Sequence, residues 1–113
     1  MVRLYGIPNC NTVKKARQWL QDHGIDCHFH DFKKEGVDPA RLDAWLERVG
    51  WETLVNRRGT TWRRLPEEAR DGLDRDKARG LLMTHPTLIK RPVLEHRDGV
   101  VVGFDPEAYG RIK

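Results

Sequence analysis

The residues of this chain best suited to chemistry are two cysteines and a set of arginines, and their placement limits which chemistry is open. Cys10 lies in the stretch Gly6-Ile7-Pro8-Asn9-Cys10-Asn11-Thr12-Val13-Lys14-Lys15-Ala16, between an apolar run and a basic, helix-like run. A cysteine at a strand-to-helix junction stands where unpaired backbone N–H groups converge and the helix dipole is positive; both favour thiolate over thiol. The same helix end attracts anions, so one place can bind an oxyanion or carboxylate and attack it. Asn11 and Thr12 can add donors to the sulfur or cap the helix. Lys14 and Lys15 bring positive charge to the first turns, screened to the extent that they are exposed. Cys10 is therefore expected to act as a nucleophile.

Position 13 is valine, so no second thiol stands three residues from Cys10 and local two-cysteine exchange is closed. Cys27 is the only other cysteine. On a neighbouring strand it is expected to face packing or to lie outside disulfide range. An external thiol then has to regenerate Cys10. Glutathione is small and anionic, suits the net charge of +4, and gives monothiol chemistry through a mixed disulfide. A phosphate loop of the form C-x5-R fails, because Ala16 fills the arginine position. His28 and His30 share one strand face while Cys27 takes the other, which is too few ligands for zinc. The run Arg57-Arg58-Gly59-Thr60-Thr61-Trp62-Arg63-Arg64 mixes arginines with an aromatic, as nucleic-acid sites do. Acidic residues soon follow it, and no nucleic-acid motif accompanies it.

The elements that must position these groups can be read from spacing. Val2 to Ile7 reads as a first strand closed by Pro8, which cannot donate to a ladder. Val13, Ala16, Trp19 and Leu20 form one apolar face of a helix over about 12–23, stopped by Gly24. Ile25 to Phe32 reads as a second strand, making a βαβ unit. Asp38 can cap a helix opening at Pro39, with Leu42, Trp45, Leu46 and Val49 as its stripe and Gly50 as its end. Further helical turns are expected over 65–73 and 74–84. Trp51 and Trp62 flank a basic loop between them. The strand pattern resumes at Pro92 to His96, turns at Asp98-Gly99, and returns through Val100 to Phe104. A short helix follows from Pro106.

At 113 residues, 34% charged and 38% hydrophobic, the composition fits one soluble globular domain, residues 1–113, with a helical insert at about 38–84. No apolar run reaches the roughly 20 residues of a membrane span, and the N-terminus lacks a secretory pattern. The cytoplasm is the expected compartment, where both cysteines remain thiols.

GIPNCNTVKKA, the FKKEG at 32–36 and HPTLIKRPVLEHRDG together resemble the arsenate reductase family (ArsC), in its Spx/YffB-like branch, over essentially the whole chain. The resemblance implies an α/β, thioredoxin-like fold of glutaredoxin type, with the helical insertion between βαβ and ββα parts. It implies that the bond before Pro92 is cis and that Pro92 faces the thiol, where residue 91 can meet a peptide-like chain such as glutathione. Arginines surround the thiol in the resembled reductases and hold the oxyanion. Arg91 matches one of them directly, and Arg57 or Arg58 stands for a second. The third is expected just before the last helix, where this chain has Asp105. A carboxylate there would repel arsenate.

The implied activity is that of a glutathione-dependent monothiol reductase, a thiol-dependent oxidoreductase with glutathione as co-substrate and no tightly bound cofactor or metal. Its partners are a small anionic or thiol substrate and glutathione, with neither membrane nor nucleic acid. The alternative is a Spx-like adaptor that binds RNA polymerase.

Overall fold

A short, mostly apolar run, a stripe at helical spacing and a second strand-like run succeed one another within the first 32 residues, and the backbone follows them. The computed structural model describes residues 2–97 and 99–112. β1 (Val2–Gly6), α1 (Asn11–Asp22), β2 (Cys27–Asp31) and α2 (Phe32–Glu35) open the chain. Next come α3 (Pro39–Val49), α4 (Trp51–Leu54), α5 (Thr60–Arg64), α6 (Glu67–Arg70), α7 (Arg75–Thr84) and a 3-10 turn (Pro86–Leu88). β3 (Val93–His96), β4 (Gly99–Val102) and α8 (Pro106–Tyr109) close it. The elements fall into two compact units: the described residues of 1–35 with those of 91–113, and residues 36–90.

The first unit is an α/β structure with a four-stranded mixed sheet in the order β2-β1-β3-β4. β1 and β2 run parallel, with Val2 opposite Cys27 and Gly6 opposite Asp31. β3 is antiparallel to β1, pairing Leu94 with Leu4, and β4 is antiparallel to β3. The crossover α1 supplies the covering layer. Val13, Ala16 and Leu20 come from its inner face, Val2, Leu4 and Leu94 from the sheet, and Tyr109 from α8, forming one buried cluster. Trp19, expected in that core, is only half-buried and meets the Tyr109 ring edge-on at 5.6 Å. Gly24 ends α1 at φ +67°, a conformation that favours glycine.

In the second unit Leu42, Trp45 and Leu46 of α3 and Ala78 and Leu82 of α7 are buried. Arg79 of α7 holds both carboxylate oxygens of Asp43 in α3, at 2.6 and 3.2 Å. A bridge between Val55 and Ile89 is flanked by Asn56 N–H to the Leu88 carbonyl at 2.9 Å.

Several boundaries differ from expectation for physical reasons. The second strand ends at Asp31, whose carboxylate accepts the Lys33 amide at 2.9 Å and diverts the chain into α2. Asp38 takes the cap position of α3 without a side-chain cap bond. The basic loop contains two helical turns, α4 and α5. None of the residues of α5 is buried, so no apolar period announces it. Asp98 of the expected turn lies outside the described residues; the hairpin is present, with His96 opposite Gly99. No described helix is long and apolar enough to cross a membrane.

Candidate active site

The site grows from the junction of β1 and α1. Pro8 and Asn9 carry the chain out of the sheet, and Cys10, extended at φ −128° and ψ 123°, is the N-cap of α1. Its carbonyl takes the first helical bond, from the Lys14 amide at 2.9 Å. Val13, fully buried, seats this first turn directly on the end of β1. A methyl group added at Gly6 would stand 2.7 Å from the Val13 Cγ2 atom, so the close approach requires glycine there.

The cysteine side chain thus occupies the place where an N-cap oxygen normally receives the second and third amides of a helix. It makes no short cap bond as a thiol, yet the amides of Val13 and Thr12 are placed to stabilise the thiolate. The Arg91 guanidinium does the same, both as a hydrogen-bond donor and as a charge. Partial burial of the sulfur is the largest single influence and opposes ionisation. The Val13 amide, Arg91 and the Thr12 amide together outweigh it and hold Cys10 below its ordinary pKa.

Expectation and structure agree on Arg91 as a neighbour of the thiol and differ on how α1 helps. Asn11 and Thr12 were expected to add donors to the sulfur or to cap the helix; both residues are exposed, and Thr12 acts on the sulfur through its backbone amide. Lys14 and Lys15 are exposed and are not among the groups that act on the sulfur. The Arg91–Pro92 bond is cis, and the Pro92 carbonyl accepts the Gly103 amide at 2.7 Å, fixing this corner to the start of the last segment. Arg57 and Arg58 belong to the second unit. The Arg57 guanidinium lies over the rings of Trp51 and Trp62, at 5.6 and 5.8 Å. The Arg58 carbonyl accepts a bond from Arg63 at 3.0 Å.

Asp105 is accounted for locally. It caps α8, its carboxylate accepting the Glu107 amide at 3.1 Å. Cys27 differs sharply from Cys10. It is half-buried against the core cluster, and burial pushes its thiol up against the weaker opposing effects of the Arg17 charge and the Leu4 amide. A pocket of about 350 Å³ lies beside it, lined by residues of α1 and β2 that include Arg17 and Phe29. Arg17 stacks on Phe29 at 4.5 Å. Sequence spacing gave no sign of this pocket. His30 lies 3.6 Å from the Glu35 carboxylate and packs on Tyr5 at 4.9 Å. Among the described residues no cluster of three or more metal-ligating side chains forms.

Known proteins are similar to this chain over nearly all of its length. The family model described as the ArsC family matches residues 5–112. The solved YFFB protein is 46% identical and superimposes with a TM-score of 0.95, covering 99% of this chain and 98% of its own. A solved arsenate reductase (ArsC) related protein from Brucella melitensis is 54% identical with a TM-score of 0.77, covering 98% and 95%. The global transcriptional regulator Spx of Lactiplantibacillus plantarum is more distant, 26% identical over 98% of this chain and 85% of its own. The chain belongs to the ArsC family.

Proposed function

We propose that this chain is a cytoplasmic, glutathione-dependent monothiol reductase on a thioredoxin-like fold of glutaredoxin type, with Cys10 as its nucleophile. The observation that carries the reading is the convergence of two helix amides and a guanidinium on one partly buried sulfur. The likeness to an arsenate reductase (ArsC) related protein from Brucella melitensis supports the same chemistry.

In the first step the Cys10 thiolate attacks the glutathione sulfur of a mixed disulfide between glutathione and the substrate. A new S–S bond forms to Cys10, the old one breaks, and the substrate leaves as a thiolate that takes a proton from water. In the second step the thiolate of a second glutathione attacks the glutathione sulfur bound to Cys10. Glutathione disulfide departs and Cys10 returns as a thiolate, so two electrons pass from glutathione to substrate. A low pKa serves both steps, first as attacking group and then as leaving group. The amides of residues 12 and 13 and the Arg91 guanidinium hold anionic charge at the reacting sulfur, and Asn11 and Pro92 border the bound chain. The arginine that the family pattern leads one to expect before the last helix is missing, Asp105 standing there as the cap of α8. The loss of that oxyanion-holding charge favours glutathionylated thiols over arsenate as the substrate.

Mapping by mass the adduct formed with oxidised glutathione tests this directly. The adduct is expected on Cys10 and absent in Cys10→Ser; an adduct confined to Cys27 would refute it. Arg57→Ala and Arg58→Ala in the turnover assay read whether either charge helps to hold the anion.

The similarity to Spx favours a second reading, an adaptor for RNA polymerase. Val13, where a two-cysteine switch would need its second thiol, is buried. An adaptor should retain its partner in Cys10→Ser, whereas a reductase should lose turnover.

A further inference from the structure

The second unit contains a polar pocket that the thiol chemistry does not use. It has a volume of about 290 Å³ and is lined by Thr61, Arg64, Leu65, His85 and Thr87, at the low end of small-molecule sites, which start at about 300 Å³. Thr61 and Arg64 are three apart on α5 and so share one face. His85 ends α7, its amide bonded to the Leu81 carbonyl at 2.8 Å, and Thr87 stands in the 3-10 turn that follows. The Thr61 and Thr87 hydroxyls lie 2.8 Å apart and tie α5 to that turn, which sets the width of the pocket. Leu65, buried, gives it an apolar wall.

The lining side chains are matched to an anion with several oxygens. Arg64 offers a planar fork of N–H donors, His85 a ring nitrogen, and Thr61, with Thr87 as donor of their pair, its own hydroxyl hydrogen. A carboxylate must share two oxygens among these donors, whereas a phosphoryl group can offer each of the three side chains a separate terminal oxygen and carries more negative charge. Charge points the same way. Between Glu52 and Glu67 the chain carries Arg57, Arg58, Arg63 and Arg64 and no carboxylate. Among the described residues none of the four forms an ion pair. Of the four, Arg64 lines the pocket, and its charge, unpaired with any carboxylate, attracts an anion there.

We propose that the pocket formed by Thr61, Arg64, His85 and Thr87 is a binding site for the phosphoryl group of a small phosphorylated molecule. The site is additional to the Cys10 centre and independent of its chemistry. The volume exceeds that of a bare oxyanion, leaving room beside Leu65 for a short organic body.

The test is a titration of the full chain with inorganic phosphate at constant ionic strength, followed by the NMR signals of the His85 ring and the Thr61 and Thr87 amides. Saturable shifts are expected at these three residues. Glycerol 3-phosphate should bind at least as tightly as phosphate, and acetate more weakly. Arg64→Ala should weaken phosphate by about tenfold or more, the loss of a charge-assisted contact. Arg64→Gln and Thr61→Val, milder changes, should weaken it less. Arg91→Ala, which removes a positive charge beside Cys10, should leave these shifts in place. The proposal is overturned if the three residues show no saturation below about 10 mM phosphate. Shifts unchanged in Arg64→Ala, reproduced by chloride, or lost in Arg91→Ala would overturn it as well.

Discussion

Replacing Gly6 by alanine probes how the reactive turn is seated. The added methyl would stand 2.7 Å from Val13 Cγ2 and 3.5 Å from Cγ1, where carbon atoms prefer about 3.5–4.0 Å. Val13 is fully buried and cannot swing away. Overpacking of this kind costs about 1–3 kcal/mol. Gly6 is not among the positive-φ glycines, so alanine also restricts the unfolded chain, returning about 0.4–1 kcal/mol. The net expectation is a loss of about 1–2 kcal/mol. Val13→Ala alone removes two buried methyl groups, about 0.8 kcal/mol each, and leaves a cavity, for about 2–3 kcal/mol in all. In the double variant the new methyl fills part of that cavity. The pair should then be less destabilised than the sum of the singles by about 1–2 kcal/mol. Urea melts of the four proteins, with slopes checked for constancy, measure this coupling. A Gly6→Ala protein as stable as the parent, or a cycle additive within about 0.5 kcal/mol, would refute the packing argument.

Arg91→Ala should raise the Cys10 pKa and slow its alkylation at neutral pH while leaving Cys27 unchanged, measured by mass-mapped alkylation rates. Tyr109→Phe should cost about 0.5–1 kcal/mol in a urea melt, since the phenol donates a long bond of 3.3 Å to the Gly103 carbonyl. Burial is the main cause that pushes the Tyr109 pKa up, with the Cys27 and Asp105 charges adding to it. The unfolded chain therefore ionises first, and stability should fall as pH rises above the free tyrosine value of about 10. Tyr109→Phe should lose that alkaline slope. Asp105→Ala should destabilise by about 1 kcal/mol through loss of the α8 cap, read by thermal melting; no change would free Asp105 for a role at the site.

Much of the first unit was legible because its signals are local. Val13, Ala16 and Leu20 repeat at helical spacing, Gly24 marks a left-handed stop, and the cysteine sits at a junction whose electrostatics follow from backbone geometry alone. The source of the donors at Cys10 was harder to see. Side chains at 11 and 12 invite attention in a sequence, while the main-chain amides that act on the sulfur have no letter of their own. The short turns α2, α4 and α5 escaped because four or five residues carry no period, and α5 buries none of its residues. The phosphoryl pocket joins residues 61–65 to 85–87, a pairing that only the return of the chain after α7 creates. Asp105 illustrates the converse. A residue that looks like a lost arginine in a family pattern is, on its own helix, an ordinary cap.

The most direct measurement of the central claim is the pH dependence of alkylation at each cysteine, resolved by mass in the same protein and repeated in Cys27→Ser. Cys10 should titrate below the free thiol value of about 8.5, and Cys27 above it. A Cys10 midpoint at or above that value, or a Cys27 that reacts first, would contradict the account.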